Sequence, residues 1–388
     1  MIKKQQQNTV FRKMQSLFLS VFCVFCVLFL GNAQADSPVD TWLADTSSKL
    51  SSKHAKVQWK FAHPAPPVSL LPPLWQSGFD WLEQVSDGTI AFKMYGSGAL
   101  YGATGGFKAI RAGIADAGTC YTIAEAKGFE LLKTFQLPYV SPENPYLTAR
   151  IINELAATTL KDEFTRRGVY PAHVFPLRPL TLMSKEAIRT PEDLRGKKVV
   201  SYMNTPGAAD ALGYSEVRLP FTEIYTALQQ GVVDAVIWID MGFIPFKIYE
   251  QAKFYTVLNI APATIDTCLN RKSFDRLDKP VKQLVYDFQQ KVGISIVEKA
   301  EQFSQKAQGI LQGNGVEIIH LNKQQTQQWQ KAMAPVRTLW MDDCEKAGKD
   351  CRALVSEIDR LKEKYSKLSN DELIRLAIEE PVQGIIDF

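Results

Sequence analysis

The sequence predicts an α/β chain folded in two lobes, and three observations carry that reading. Short helices with clear start and stop signals alternate with apolar strands between Pro176 and Asp240. A β-α-β-α order runs from Val57 to Gly118, and one long helical stretch, Pro280–Gln312, holds only the glycines Gly293 and Gly309. Helix alternating with buried strand means layered α/β architecture. The 388 residues also exceed one ordinary core, so two lobes are expected.

Residues 1–35 read as an export signal. Lys3, Lys4, Arg12 and Lys13 are its positive end, Leu17–Leu30 its apolar stretch, and Ala33-Gln34-Ala35 its cleavage site. The apolar stretch is short for a membrane span, and no later segment is long and apolar enough to cross a bilayer. The expected mature chain starts at Asp36. The net charge of +4 belongs to the signal, which holds four of 45 Lys and Arg and none of 41 Asp and Glu. A neutral mature chain argues against nucleic acid as a partner.

Asp36–Lys56 is a polar lead-in, and Val57–Phe61 alternates as a first strand. After the proline-rich loop His63–Pro73, Leu74–Val85 reads as helix and Thr89–Tyr95 as strand. A helix ending at Gly113 and a strand over Ile114–Gly118 follow. Arg150–Gly168 has helical spacing, and Val169–Phe175 is a strand heading toward the junction of the lobes. Thr190 can cap a short helix with Pro191 at its first position and Asp193 in its first turn. Gly196 stops it and Val199 and Val200 open a strand. Ile224, Ala227 and Leu228 share a helix face that ends at Gly231, and Val232–Ile239 reads as a strand covered on both sides. Ala263–Leu269 is a strand, and Gln325–Glu345 and Arg352–Leu368 are helices. Leu354, Ile358, Leu361, Tyr365 and Leu368 follow a seam spacing. Packing on the chain's own body is its expected use.

Cys23 and Cys26 fall inside the signal. Of the remaining four cysteines, Cys344 and Cys351 flank a polar loop and are expected to pair in an oxidising compartment. Cys120 and Cys268 either pair or stay as buried thiols. Four scattered histidines supply no metal-ligand spacing, and no nucleophile–base pair or phosphate loop is present. Gly96-Ser97-Gly98 begins like a dinucleotide fingerprint, but the third glycine comes at 102, one position late. No cofactor or metal is expected.

Three elements carry a family resemblance: TPEDLRGKKV at Thr190–Val199, PFTEIYTALQQGVVDA at Pro220–Ala235, and Arg178 twelve residues before Thr190. In that order and spacing the chain resembles the solute-binding proteins of TRAP transporters. These are periplasmic receptors that hand small organic acids to a membrane carrier. The resemblance implies a periplasmic-binding-protein (Venus-flytrap) fold, with the long helix lying across both lobes and extra C-terminal helices beyond it. The expected layout is a first lobe over 36–179, a second over 180–262, a crossing strand and spanning helix over 263–320, and C-terminal helices over 321–388. It implies an organic-acid ligand in an interlobe cleft, TRAP membrane subunits as partners, and a ligand contact for Arg178. An arginine fork can grip a carboxylate through two parallel charge-assisted hydrogen bonds.

The chain departs from the family pattern in two places. Val200 stands where an arginine clamp is common. Ile237 precedes Trp238 where the pattern has a glutamate. Tyr202, Asn204, Trp238 and Asp240 follow two strand ends of the second lobe, Tyr121 follows a third strand, and Phe175 is expected beside Arg178. Aromatic walls suit a planar ring, so a monocarboxylate, aromatic or not, is the expected ligand. An amine-bearing ligand attracted by Asp240, and a receptor adapted to sensing or scaffolding, remain open alternatives. Enzyme activity is not expected.

Overall fold

The structure is a computed structural model, and it describes residues 36–388 apart from Ser52, Ala103, Ala126 and Asn204. The export signal therefore lies outside the described residues. Pro38–Phe388 forms one compact unit built on two sheets.

The strands, in chain order, are β1 (Val57–Ala62), β2 (Ile90–Tyr95), β3 (Ala117–Thr119), β4 (Val169–Pro179), β5 (Thr181–Ser184) and β6 (Lys198–Ser201). They continue with β7 (Ser215–Val217), β8 (Ala235–Trp238), β9 (Phe254–Val257), β10 (Pro262–Asn270) and β11 (Glu317–His320). The first sheet has the order β2-β1-β3-β10-β4 and the second β11-β9-β5-β8-β6-β7. In the first, β1 pairs parallel with β2 and β3, while β10 runs antiparallel to β3 and β4. In the second, β6 pairs parallel with β7 and β8.

The chain crosses between sheets at two neighbouring places. β4 ends at Pro179 in the first sheet and β5 starts at Thr181 in the second. On the return, β9 lies in the second sheet and β10 in the first. The two crossings are tied by Leu180 N–H donating to Ala261 C=O at 2.8 Å.

The long helix, Lys279–Gly313, has Pro at its start, where a missing N–H costs nothing. Val281, Val285, Phe288, Val292 and Val297 bury into the first core, and Leu311 into the second. It thus spans both cores, as the resemblance implied. The Lys323–Lys346 helix also leaves the first core: Met341 and Cys344 lie there, and Trp329 and Met333 lie in a third cluster with Leu182, Val199 and Ile237, on the second-sheet face opposite Leu311. The Cys351–Tyr365 and Asn370–Glu379 helices pack on the first core, and the seam residues Leu354, Ile358, Leu361 and Tyr365 are buried there.

Several elements differ from the sequence reading. The segment after Thr190 is a single 3-10 turn, Pro191–Leu194, whose Asp193 carboxylate accepts from the N–H groups of Arg189 and Thr190 at 2.8 Å each. Arg150–Gly168 is two helices, Pro145–Ala156 and Lys161–Thr165. The strand after Gly231 is only Ala235–Trp238, because Val232–Asp234 complete the turn. Disulfides join Cys344 to Cys351 and Cys120 to Cys268.

Candidate functional site

In open parallel sheets, ligands sit outside the carboxyl ends of the strands. In the first sheet those ends lead to His63 after β1, Gly96 after β2 and Tyr121 just past β3. In the second they lead to Tyr202 after β6, to Trp238 at the end of β8, and from β7 to Phe221.

The first rim is tightly built. Tyr121 adopts a left-handed backbone, φ 48°, a strained choice for a bulky side chain. The Cys120–Cys268 disulfide holds the residue before it to β10, with a Cα separation of 5.7 Å. Asp266, on β10, is buried, with no cationic partner among the described residues. It accepts from the Thr122 N–H at 3.1 and 3.3 Å, and burial pushes its carboxyl up to about 6. Burial, with a smaller contribution from the Asp266 charge, pushes the Tyr121 hydroxyl up to about 12. The Tyr101 hydroxyl donates to the Ala62 and Thr119 carbonyls and ties the glycine-rich loop to β1 and β3. His63 is buried, and desolvation lowers its proton affinity, opposed by a hydrogen bond with the Ala65 backbone.

The second rim is aromatic. Tyr202 and Trp238 stack with centroids 5.0 Å apart and planes at 28°, Phe221 stacks on Trp238 at 6.2 Å, and Phe246 lies 5.6 Å away. These four rings are half-buried. Gly242 is required here, since a Cβ would overlap the Trp238 ring. The Tyr202 hydroxyl donates to Leu219 C=O at 3.3 Å, so the side chain offers its ring face rather than a free donor. Asn204 lies outside the described residues.

Arg178 occupies the last position but one of β4, at the crossing. Its Nε donates to Glu301 Oε2 at 2.7 Å and its Nη2 to Glu301 Oε1. Glu301 sits on the spanning helix, between the positions that enter the two cores. Asp240, also expected in the site, is buried on the first turn of the Asp240–Phe243 helix. It accepts from the Tyr255 hydroxyl of β9. Burial raises its carboxyl, opposed by the Tyr255 hydrogen bond, the Arg178 charge and the Ser304 hydroxyl. The structure therefore brings Arg178 and Asp240 into one charged cluster, and Trp238 and Tyr202 into one aromatic cluster. Phe175 belongs to neither. It is 0% exposed in the first core, with its ring against Trp75 and His173.

Glu301, Tyr255 and Asp266 were not singled out from the sequence. Glu301 is 123 residues from Arg178 and looks like any exposed glutamate of a long helix. Asp266, inside the apolar run Ala263–Leu269, was the one visible signal, because a carboxylate there must be buried.

The sequence profile of the DctP family, bacterial extracellular solute-binding protein family 7, matches residues 79–341. The chain belongs to this family. Among its relatives is the 2,3-diketo-L-gulonate-binding periplasmic protein of Escherichia coli K12, 27% identical over 145 residues. That match spans 35% of this chain and 42% of the relative. A TRAP periplasmic solute-binding protein from Desulfovibrio salexigens superposes with a TM-score of 0.73 at 20% identity, covering 81% of this chain and 99% of that one. A marine metagenome TRAP solute-binding protein, specific for aromatic acid ligands and solved with 3-hydroxybenzoate, gives 0.72 at 20% identity. It covers 81% of this chain and 100% of that one. At these identities the solved structures establish the two-lobed α/β fold of this family 7 protein.

Proposed function

We propose that this family 7 protein is a periplasmic receptor of a TRAP-type transporter. It captures a small organic acid, a monocarboxylate with a planar or aromatic ring, between its lobes and delivers it to membrane subunits. Arg178, Tyr121, Tyr202, Asn204, Trp238 and Asp240 are the proposed contacts. Phe175, buried in the first core, is not among them.

The observation that carries this reading is the coincidence of aromatic rings with strand ends. Tyr202 and Trp238 stack at the carboxyl ends of parallel strands, where a ring ligand would find a flat, half-exposed wall. The related fold solved with 3-hydroxybenzoate adds weight to an aromatic acid. The export signal read at residues 1–35 supports a periplasmic address. Binding is proposed to close the lobes by favouring a state in which both rims touch the ligand. Delivery, rather than turnover, is the role assigned. A scaffold role gains nothing from the C-terminal helices, whose apolar seam is already buried.

Native mass spectrometry of protein purified without denaturation, followed by extraction, tests the proposal. A thermal-shift panel of aromatic and aliphatic acids accompanies it. A co-purifying or stabilising monocarboxylate is expected. A chain that no acid stabilises, or one that turns the bound compound over, contradicts it.

A further inference from the structure

The Arg178 guanidinium carries five N–H donors in one plane. Glu301 uses the edge formed by Nε and Nη2. Among the described residues no second acceptor bonds the remaining edge, formed by Nη1 and the outer Nη2 hydrogen. The side chain keeps 32% of its surface exposed, whereas Glu301 keeps 11%. A guanidinium held along one edge cannot swing about its stem, so its plane is fixed before anything binds.

Glu301 alone bonds that plane, and residues from three elements surround it. Arg178 comes from the end of β4 in the first sheet, and Glu301 and Ser304 come from the spanning helix. Asp240 and Tyr255 come from the second-sheet side. Gln305 Nε2 donates to Glu301 Oε1 at 3.3 Å, one turn further along the helix. The Tyr255 hydroxyl occupies Asp240, so the second carboxylate is bonded without drawing on the arginine edge. Glu301, bonded directly along one edge, is the principal counter-charge of Arg178.

We propose that Glu301 is a positioning residue for acid capture: it clamps one edge of Arg178 so that the opposite edge stands ready, bidentate and preorganised, for a ligand carboxylate. This inference rests on the receptor reading above. It adds that the acid is recognised end-on by Nη1 and Nη2, with affinity set partly by a residue that never touches it. Preorganisation raises affinity by removing the ordering cost at the moment of binding.

The test uses 3-hydroxybenzoate and its uncharged isostere 3-hydroxybenzamide, with pyroglutamate as a second acid, titrated calorimetrically into the full mature chain. Glu301→Ala is expected to weaken acid binding roughly tenfold, the scale of one charge-assisted hydrogen bond, and to leave the amide unchanged. Glu301→Gln, which keeps one acceptor, is expected to fall between. In an Arg178→Ala background, Glu301→Ala is expected to cost nothing more, because it acts only through the arginine. Three results would each overturn the proposal while leaving the receptor intact. They are unchanged acid affinity in Glu301→Ala, equal losses for acid and amide, and losses that add to those of Arg178→Ala. Failure of the wild-type chain to bind either acid, or any acid of the thermal-shift panel, would remove the receptor reading and this inference together.

Discussion

At the scale of single residues, two buried titratable groups pull stability in opposite directions with pH. His173 is 2% exposed; Trp75 Nε1 donates to its Nε2 at 2.9 Å, and its Nδ1 faces Gln289 Oε1 at 3.0 Å. That pattern leaves Nδ1 as the protonated nitrogen of a neutral ring. Burial lowers its pKa to about 4, so the unfolded chain takes up the proton first as pH falls. The stability it contributes is complete above about pH 6.5 and is lost towards pH 4, about 3 kcal/mol in all. Asp266 behaves oppositely. With its carboxyl raised to about 6, it contributes most below about pH 4 and loses about 3 kcal/mol as pH rises through 6. Urea unfolding should therefore show Asp266→Asn gaining stability relative to wild type between pH 4 and 7. A flat difference would mean that Asp266 titrates normally. The sequence exposed half of this scale. Reading apolar strands after the stops at Gly196 and Gly231 put Trp238 and Tyr202 at strand ends, where they stack. It had no access to the partner of Arg178, because side-chain pairing across 123 residues leaves no local periodicity.

At the scale of elements, what was legible followed local chemistry. The start at Thr190 and the stops at Gly196 and Gly231 were readable because proline, capping carboxylates and left-handed glycines act within one turn, whereas the reduction of the expected helix to one 3-10 turn was not. The break between the Pro145–Ala156 and Lys161–Thr165 helices was not, since helical spacing continues across it. The C-terminal stretch had no reading in sequence terms and gains one in the fold. Gln290 of the spanning helix bonds both the C=O and the N–H of Val382, at 2.8 Å each. The Tyr286 hydroxyl donates to the same carbonyl, and Ile385 and Ile386 are each 4% exposed. The segment straps the spanning helix to the first core. Deleting Pro381–Phe388 should lower the unfolding free energy by about 3–6 kcal/mol, from the two isoleucines alone. Chemical denaturation measures this, and an unchanged midpoint would show the strap to be idle.

At the scale of the whole molecule, two helices and two crossing segments link the cores, and the charged cluster of Arg178, Glu301 and Asp240 joins the end of β4 to the Lys279–Gly313 helix. The two-lobed architecture was legible because alternating helix and buried strand, at this chain length, has few other solutions. The second spanning helix was not, because its apolar positions give no hint that they enter different cores. The arginine at this junction is the proposed grip on the organic acid. Calorimetric titration of a stabilising monocarboxylate into wild type and Arg178→Ala is the decisive measurement. Binding to the variant is expected to fall by roughly a hundredfold or vanish, as loss of a bidentate charged contact requires. An Arg178→Ala protein that folds normally and binds that acid as tightly as wild type would contradict it.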